Sequence, residues 1–147
     1  MKGLLFVILV IAFNGNLDAK SIPKKQQNLL TLRGRVIFPS GSKIPIETGA
    51  ILTVELRDTS LADAAAKTIA KSIGQAVQFP MAFAIKYQPG DIGEGVQYSL
   101  HASIRNKKNE LLYINDVRIP VKPTGIQRTK TIDVPVILVK SKNRCEA

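Results

Sequence analysis

The residue types that most often carry out chemistry are scarce in this chain. Its single histidine is His101, and its single cysteine is Cys145, two residues from the end. Ser99 and Ser103 flank His101, but a serine nucleophile needs a histidine that a carboxylate orients, and no acid has a spacing that suggests it. One histidine and one terminal cysteine also fall short of a zinc site. The sequence therefore predicts a non-enzymatic protein with no catalytic, metal or cofactor-binding residues, and leaves open whether Cys145 pairs between chains.

A glycine-rich segment and a pair of aspartates are the other candidates for chemistry. The segment Gly90–Gly95 resembles a phosphate-binding loop, but such a loop opens a helix, and here a strand-like alternation follows, so we expect a turn. Asp91 and Glu94 supply too few oxygens for calcium. Asp58 and Asp63 resemble a carboxylate pair, but Asp58 is better placed to accept a hydrogen bond within its own turn.

The chain is strongly basic, with a formal net charge of +10. Such a charge attracts anionic glycans, lipid headgroups and acidic proteins. The basic residues are spread out, and no block reaches the length of a binding tail. Arg33 and Arg35 share the polar face of the first predicted strand, so they are the candidate anion contacts, with a merely solvated strand face as the other interpretation. The partner is then an unknown protein or an anionic surface, and nothing indicates specific nucleic-acid binding.

The two ends of the chain differ in composition from its middle. Residues 1–19 are predicted to be a signal peptide, because Lys2 precedes an apolar run. That run is too short to span a membrane. We expect residues 20–29 to form a flexible leader, residues 30–140 the folded domain and residues 141–147 a basic tail. The protein is therefore predicted to be secreted, or periplasmic if the source is a bacterium, without a transmembrane anchor. The oligomeric state stays open.

Most of the residues named above lie on or between short segments in which apolar and polar residues alternate. In Leu52–Arg57 the apolar side chains recur at every second position, which is typical of a half-buried strand. The same pattern predicts that Phe83 and Leu100 face each other in the core, that Ser99 and His101 point to solvent, and that Val134, Val136 and Leu138 share one side. The fold class is therefore all-β, an antiparallel two-sheet β-sandwich of about seven strands. The predicted strands are Leu30–Phe38, Ile51–Arg57, Thr68–Ile73, Phe79–Tyr87, Val96–Arg105, Leu111–Ile114, which Val117–Val121 would extend, and Ile132–Val139.

Several of these segments, taken in order, resemble a known family. Leu32–Val36, Leu52–Asp63, the stretch from Pro80 to Ile104 and Leu112–Asp116 are similar to the YbaY/YscW-type lipoproteins, a secretion pilotin-like family. The resemblance implies a β-sandwich, a place in the bacterial envelope and, for some members, a role in assembling a secretin pore. The chain lacks the lipidated cysteine of those members. We therefore expect a secreted macromolecular binding or assembly module that acts like a chaperone, with a basic adhesion protein for anionic glycans or lipid surfaces as the alternative.

Overall fold

The computed structural model describes residues 28–39, 45–125 and 129–139. The predicted signal peptide (1–19), the leader up to residue 27 and the basic tail (141–147) with Cys145 lie outside these ranges. Those assignments therefore stay predictions.

Two β-sheets pack face to face and form the predicted sandwich. The described residues form nine strands rather than about seven, because two predicted segments each divide. The strands are β1 Leu30–Ile37, β2 Ile51–Asp58, β3 Lys67–Gln75, β4 Met81–Tyr87, β5 Tyr98–Arg105, β6 Leu111–Ile114, β7 Ile119–Val121, β8 Ile132–Pro135 and β9 Ile137–Leu138. The smaller sheet has the order β4-β1-β8, and the larger has the order β3-β2-β5-β6-β9, with β7 also paired to β5. All pairs are antiparallel except β1 and β8, which run parallel.

Alternation along the strands places the core between the two sheets, as predicted. In β4 every second residue is buried, and Phe83 is 6% exposed. Leu100 of β5, in the opposite sheet, is 2% exposed and belongs to the same apolar cluster. Burying alternate residues of both sheets removes apolar surface from water, which is the main force that holds the layers together.

Gly34 allows close packing at the centre of the smaller sheet. It lies on the buried face of β1, opposite Phe83 of β4 and beside Ile132 of β8. A Cβ at this position would lie 2.7 Å from Phe83 Cε1 and would also collide with Phe83 Cζ and with the carbonyl oxygen of Ile132. The phenyl ring and the neighbouring strand can therefore approach β1 only because residue 34 has no side chain.

Leu138 and Ser99 do not lie where the alternation predicts. The last predicted strand divides at Val136, whose N–H donates to Ile37 O of the smaller sheet at 2.9 Å, and the chain then joins the larger sheet as β9. Alternation does not carry across that change of sheet, so Leu138 is 51% exposed while Val136 is fully buried. Ser99 is only 6% exposed, because β7 pairs along this part of β5 and Pro120 lies opposite it.

Asn115 joins β6 and β7 along one edge of β5. Its backbone N–H donates to Ala102 O, and its side-chain Oδ1 accepts from the N–H of Ala102 at 2.7 Å. Its Nδ2 donates to Leu100 O at 3.2 Å and to Val117 O at 3.0 Å. The carboxamide thus replaces the peptide groups of a continuous strand, and β7 forms as a separate strand rather than as an extension of β6.

Candidate functional site

A cleft opens at the end of the sandwich where β5 begins and β7 ends. Its two adjoining hollows have volumes of about 430 and 510 Å³ and share Val96, Tyr98, Val121 and Lys122. These volumes lie within the range of ligand-binding pockets, and the walls mix apolar side chains with a few polar groups, as such pockets usually do. The loop at residues 92–96 forms one wall.

Two buried tyrosines hold the walls of the cleft. Tyr98 accepts a hydrogen bond from the N–H of Gly93 at 2.8 Å, which fixes the glycine-rich loop. The hydroxyl of Tyr87 donates to the carbonyl oxygen of Pro123, which fixes the segment after β7. Both phenols project from the core strands, so the shape of the cleft depends on the packing of the two sheets.

Arg118 lies at the edge of this cleft and is held by neutral acceptors. Its Nη2 donates to Thr59 Oγ1 at 2.8 Å and to Gln97 Oε1 at 3.0 Å. The N–H of Thr59 in turn donates to Gln97 O at 2.8 Å, which ties the turn after β2 to the residue before β5. Within the described part of the chain no carboxylate forms a salt bridge with Arg118. Its side chain is therefore positioned while its charge is left without a counter-ion.

Lys122 supplies a second positive charge and lines both hollows. Glu94 lines only the larger hollow, which Arg118 does not line. Arg118, Pro120 and Lys122 occupy alternate positions along β7 and its flanks, so the two cations stand about 13 Å apart along the strand, with an apolar residue between them. This edge of the cleft is therefore cationic at both ends and apolar in the middle.

The candidate anion contacts lie elsewhere, on the outer face of the smaller sheet. Arg33 and Arg35 are both exposed on β1. Arg35 Nε and Nη2 donate to the two carboxylate oxygens of Asp133 at 3.0 and 3.1 Å, so its charge is partly neutralised. Arg33 lies diagonally across from the exposed Lys86 of β4, and no carboxylate in the described ranges pairs with it. On this face Arg33 and Lys86 are therefore neighbouring cations that form no salt bridge in the described ranges, whereas Arg35 is paired with Asp133.

His101 is half-buried rather than solvated, and an acid does lie opposite it. Glu55 of β2 is its cross-strand partner, a proximity that the linear spacing did not indicate. That carboxylate is held by Arg57, whose Nε donates to Glu55 Oε2 at 2.6 Å. Burial, and secondarily the charge of Arg57, lower the pKa of His101. In the described structure no hydrogen bond connects His101 to Glu55, Ser99 or Ser103, so this arrangement does not activate a serine.

Asp58 and the glycine-rich segment adopt the predicted local structures. Asp58 Oδ1 accepts from the N–H of Ser60 at 2.9 Å, and that hydrogen bond lowers the pKa of the carboxyl. Asp63 lies in the exposed turn beyond it. The segment Gly90–Gly95 begins in the short 3-10 helix Pro89–Asp91 and continues as a loop that leads into β5, with a left-handed Gly95 at φ 71°. Sequence reasoning dismissed this loop as a turn and so missed that it forms a wall of the cleft. No group of three or more metal-ligating side chains occurs in the described ranges.

Most of the net positive charge of the chain lies outside the described residues. The described residues include twelve lysines and arginines and nine aspartates and glutamates, a net charge of +3. The whole chain has a net charge of +10. The sandwich itself is therefore only mildly basic, and its local cations matter more than its average charge.

Comparison with known proteins identifies the family. Residues 27–134 match the family of type III secretion system lipoprotein chaperones named YscW. The chain belongs to this family. Its expected resemblance to YbaY/YscW-type lipoproteins is thereby confirmed, and the members are named for chaperone activity rather than for catalysis.

One curated relative and one solved structure agree with this assignment. The chain is 32% identical over 96 residues to the uncharacterized lipoprotein YbaY of Escherichia coli K12, covering 64% of this chain and 50% of that protein, so it spans about half the length of this relative. The fold is similar to an alternative pilotin from the type II secretion system of Vibrio cholerae, with a TM-score of 0.67 and 30% identity, over 77% of this chain and 99% of the pilotin. No helix among the described residues is long and apolar enough to cross a membrane.

Proposed function

We propose that this YscW-family protein is a non-enzymatic assembly module that binds a polypeptide segment of a client protein in the cleft between Val96 and Lys122. The observation that carries the proposal is the partly apolar cleft with a fixed arginine at its edge, in a chain whose family is named for chaperones. A module of this kind holds a segment of its client and needs no nucleophile, metal or cofactor.

The client that fits this proposal is a component of a secretion machine in the bacterial envelope. The matched family and the similar pilotin are both named for secretion systems, and the family resemblance implies a role in assembling a secretin pore. We therefore propose a periplasmic or envelope location and a segment of a secretin subunit as the client.

Adhesion to anionic glycans or lipids is the alternative function. Its support is the pair of exposed cations Arg33 and Lys86 on the outer face of the smaller sheet. Only three of the ten net positive charges of the chain lie in the described residues, so charge-driven adhesion would use mainly residues outside the sandwich. Arg33 and Arg35 are accordingly proposed as auxiliary anion contacts, and the cleft as the principal binding site.

Overlapping peptides that cover the secretin subunits of the source organism test the proposal. We expect at least one peptide to bind the wild-type protein, measured by fluorescence anisotropy. Thr124→Trp should abolish this binding, because Thr124 is exposed and lines the larger hollow, which the indole would fill. Thr48→Trp, also exposed but in the turn before β2 at the opposite end of the sandwich, is the matched control and should bind as the wild type does. Failure of every peptide to bind, or equal loss in both variants, would reject the proposed function.

A further inference from the structure

We infer that Arg118 recognises a carboxylate of the bound segment, next to an apolar side chain that packs on Val96 and Val121. This inference rests on the proposed function and adds the chemistry of the partner: an anionic, partly apolar segment. The carboxylate has two possible sources, the side chain of an aspartate or glutamate, or the free C-terminus of the client.

The hydrogen bonds of Arg118 support this role. Only its Nη2 donates within the described structure, to Thr59 Oγ1 and Gln97 Oε1. The Nε and Nη1 donors have no partner among the described residues, although a guanidinium offers five N–H groups in a fixed plane. Each bidentate edge of a guanidinium uses an Nη2 hydrogen, as in the pairing of Arg35 Nε and Nη2 with Asp133, so Arg118 can give a carboxylate a single hydrogen bond from Nε or Nη1 while Thr59 and Gln97 keep theirs. An arginine whose orientation is already fixed loses less conformational freedom when it forms such a bond. Arg118 therefore has the donors and the orientation that such recognition requires.

The other arginines of the larger and smaller sheets make different contacts. Arg35 is paired with Asp133, and Arg57 is paired with Glu55, so each already has a carboxylate partner. Arg105 also donates to a neutral acceptor, Asn109 O at 3.0 Å, but it lies at the end of β5 away from the cleft. Arg33 has no carboxylate partner in the described ranges, but it lies on the outer face of the smaller sheet. Among the five arginines in the described ranges, only Arg118 combines a charge without a carboxylate partner with a position on the cleft.

The surroundings of Arg118 define which anion fits. Val96, Pro120 and Val121 line the same hollow, so a carboxylate bound at Arg118 would lie beside an apolar surface. Arg118 itself is exposed, so the apolar neighbours contribute by packing against the bound segment rather than by shielding its carboxylate from water. Lys122, farther along the cleft, adds attraction for an anionic segment without fixing its position. A segment with a carboxylate next to an apolar residue therefore matches the cleft better than a uniformly acidic one.

A purely structural role for Arg118 is the competing explanation, because its two hydrogen bonds also tie β7 to the turn after β2. The two roles make different predictions for Arg118→Lys and Arg118→Gln. If Arg118 only ties these segments together, both variants should change thermal stability and affect all peptides equally. If Arg118 binds a carboxylate, the substitutions should reduce the affinity for the unchanged peptide but not the affinity for a peptide whose carboxylate has been removed.

The test uses the secretin peptide that binds best in the experiment above, made in three forms. One form is unchanged, one has an amidated C-terminus, and one has its acidic side chains replaced by the corresponding amides. We expect one of the two neutralised forms to bind wild-type protein about two- to fivefold more weakly, as expected for an exposed ion pair. The form that loses affinity identifies the source of the carboxylate. Arg118→Gln should weaken the unchanged peptide to a similar extent and be nearly insensitive to neutralisation, and Arg118→Lys should recover part of the affinity.

Arg105→Gln is the matched control, because it removes a charge and a hydrogen bond to a neutral acceptor outside the cleft. It should bind all three peptides as the wild type does. Unchanged binding of the peptide by Arg118→Gln, while Thr124→Trp still abolishes it, would overturn the inference and leave the proposed function intact. Failure of every peptide to bind the wild type would overturn both.

Discussion

Replacing Asn115 tests how much its carboxamide, which is hydrogen-bonded to the edge of β5, stabilises the fold. The Asn115 carboxamide accepts from the N–H of Ala102 and donates to Leu100 O, both on a strand that is otherwise buried. Asn115→Ala leaves that N–H without an acceptor, which costs about 1–3 kcal/mol, and removes a bond to Leu100 O that contributes about 0.5–1.5 kcal/mol. The third bond, to Val117 O, is exposed and can be replaced by water. We therefore expect the free energy of unfolding to fall by about 2–4 kcal/mol.

Asn115→Asp separates the two halves of the carboxamide. The introduced carboxylate can still accept from Ala102 N–H, but its second oxygen faces the carbonyl oxygens of Leu100 and Val117 in place of a donor. That repulsion raises the pKa of the new carboxyl above the unfolded value of about 3.9. The folded state then binds more protons than the unfolded state, so the destabilisation relative to wild type should shrink as the pH falls from 7 to 4.

Urea denaturation at several pH values measures both effects. Gln88→Ala is the control, because Gln88 is an exposed amide whose side chain makes no capping hydrogen bond. A loss of less than about 0.5 kcal/mol in Asn115→Ala, the usual size of a surface substitution, would refute the reasoning. A constant difference between Asn115→Asp and wild type from pH 7 to pH 4 would refute the account of the two oxygens.

Three further predictions concern the core, the histidine and the outer face of the smaller sheet. Phe83→Ala should lower the free energy of unfolding, measured by urea denaturation, by about 3–5 kcal/mol because it leaves a cavity at a buried position. A decrease no larger than that of the exposed Lys86→Ala would contradict the assignment of the strand faces. His101 has a lowered pKa in the folded state, so wild-type stability should fall as the pH drops below about 6.5 and through the folded pKa. His101→Gln should have a flatter pH dependence of stability in that range and bind the client unchanged, and loss of binding in a stable variant would show that His101 contributes to the binding site. Reversing Arg33 and Arg35 to Glu should weaken binding to vesicles that contain phosphatidylglycerol and flatten its salt dependence, whereas unchanged binding would remove both as anion contacts.

The faces of the strands show where sequence reasoning succeeds and where it fails. In β1, β2 and β4 each residue's face follows from its parity, because a strand that stays in one sheet has one buried side throughout. Leu138 breaks this rule, since the chain changes sheets at Val136 and a change of partner strand leaves no mark in the alternation.

Residue alternation and local turn chemistry were enough to predict the all-β class, the positions of most strands along the chain, most of the core and the turn at Asp58. These features depend on local alternation and on side chains that act on neighbouring backbone, and both are readable within a few residues. The order of the strands within each sheet, the pairing of Glu55 with His101 across strands, the ion pair of Arg35 with Asp133 and the position of Arg118 beside Thr59 and Gln97 depend on the folded sandwich. Those contacts join strands that are distant in the chain, and their register is set by the packing of the whole sandwich rather than by any segment of it.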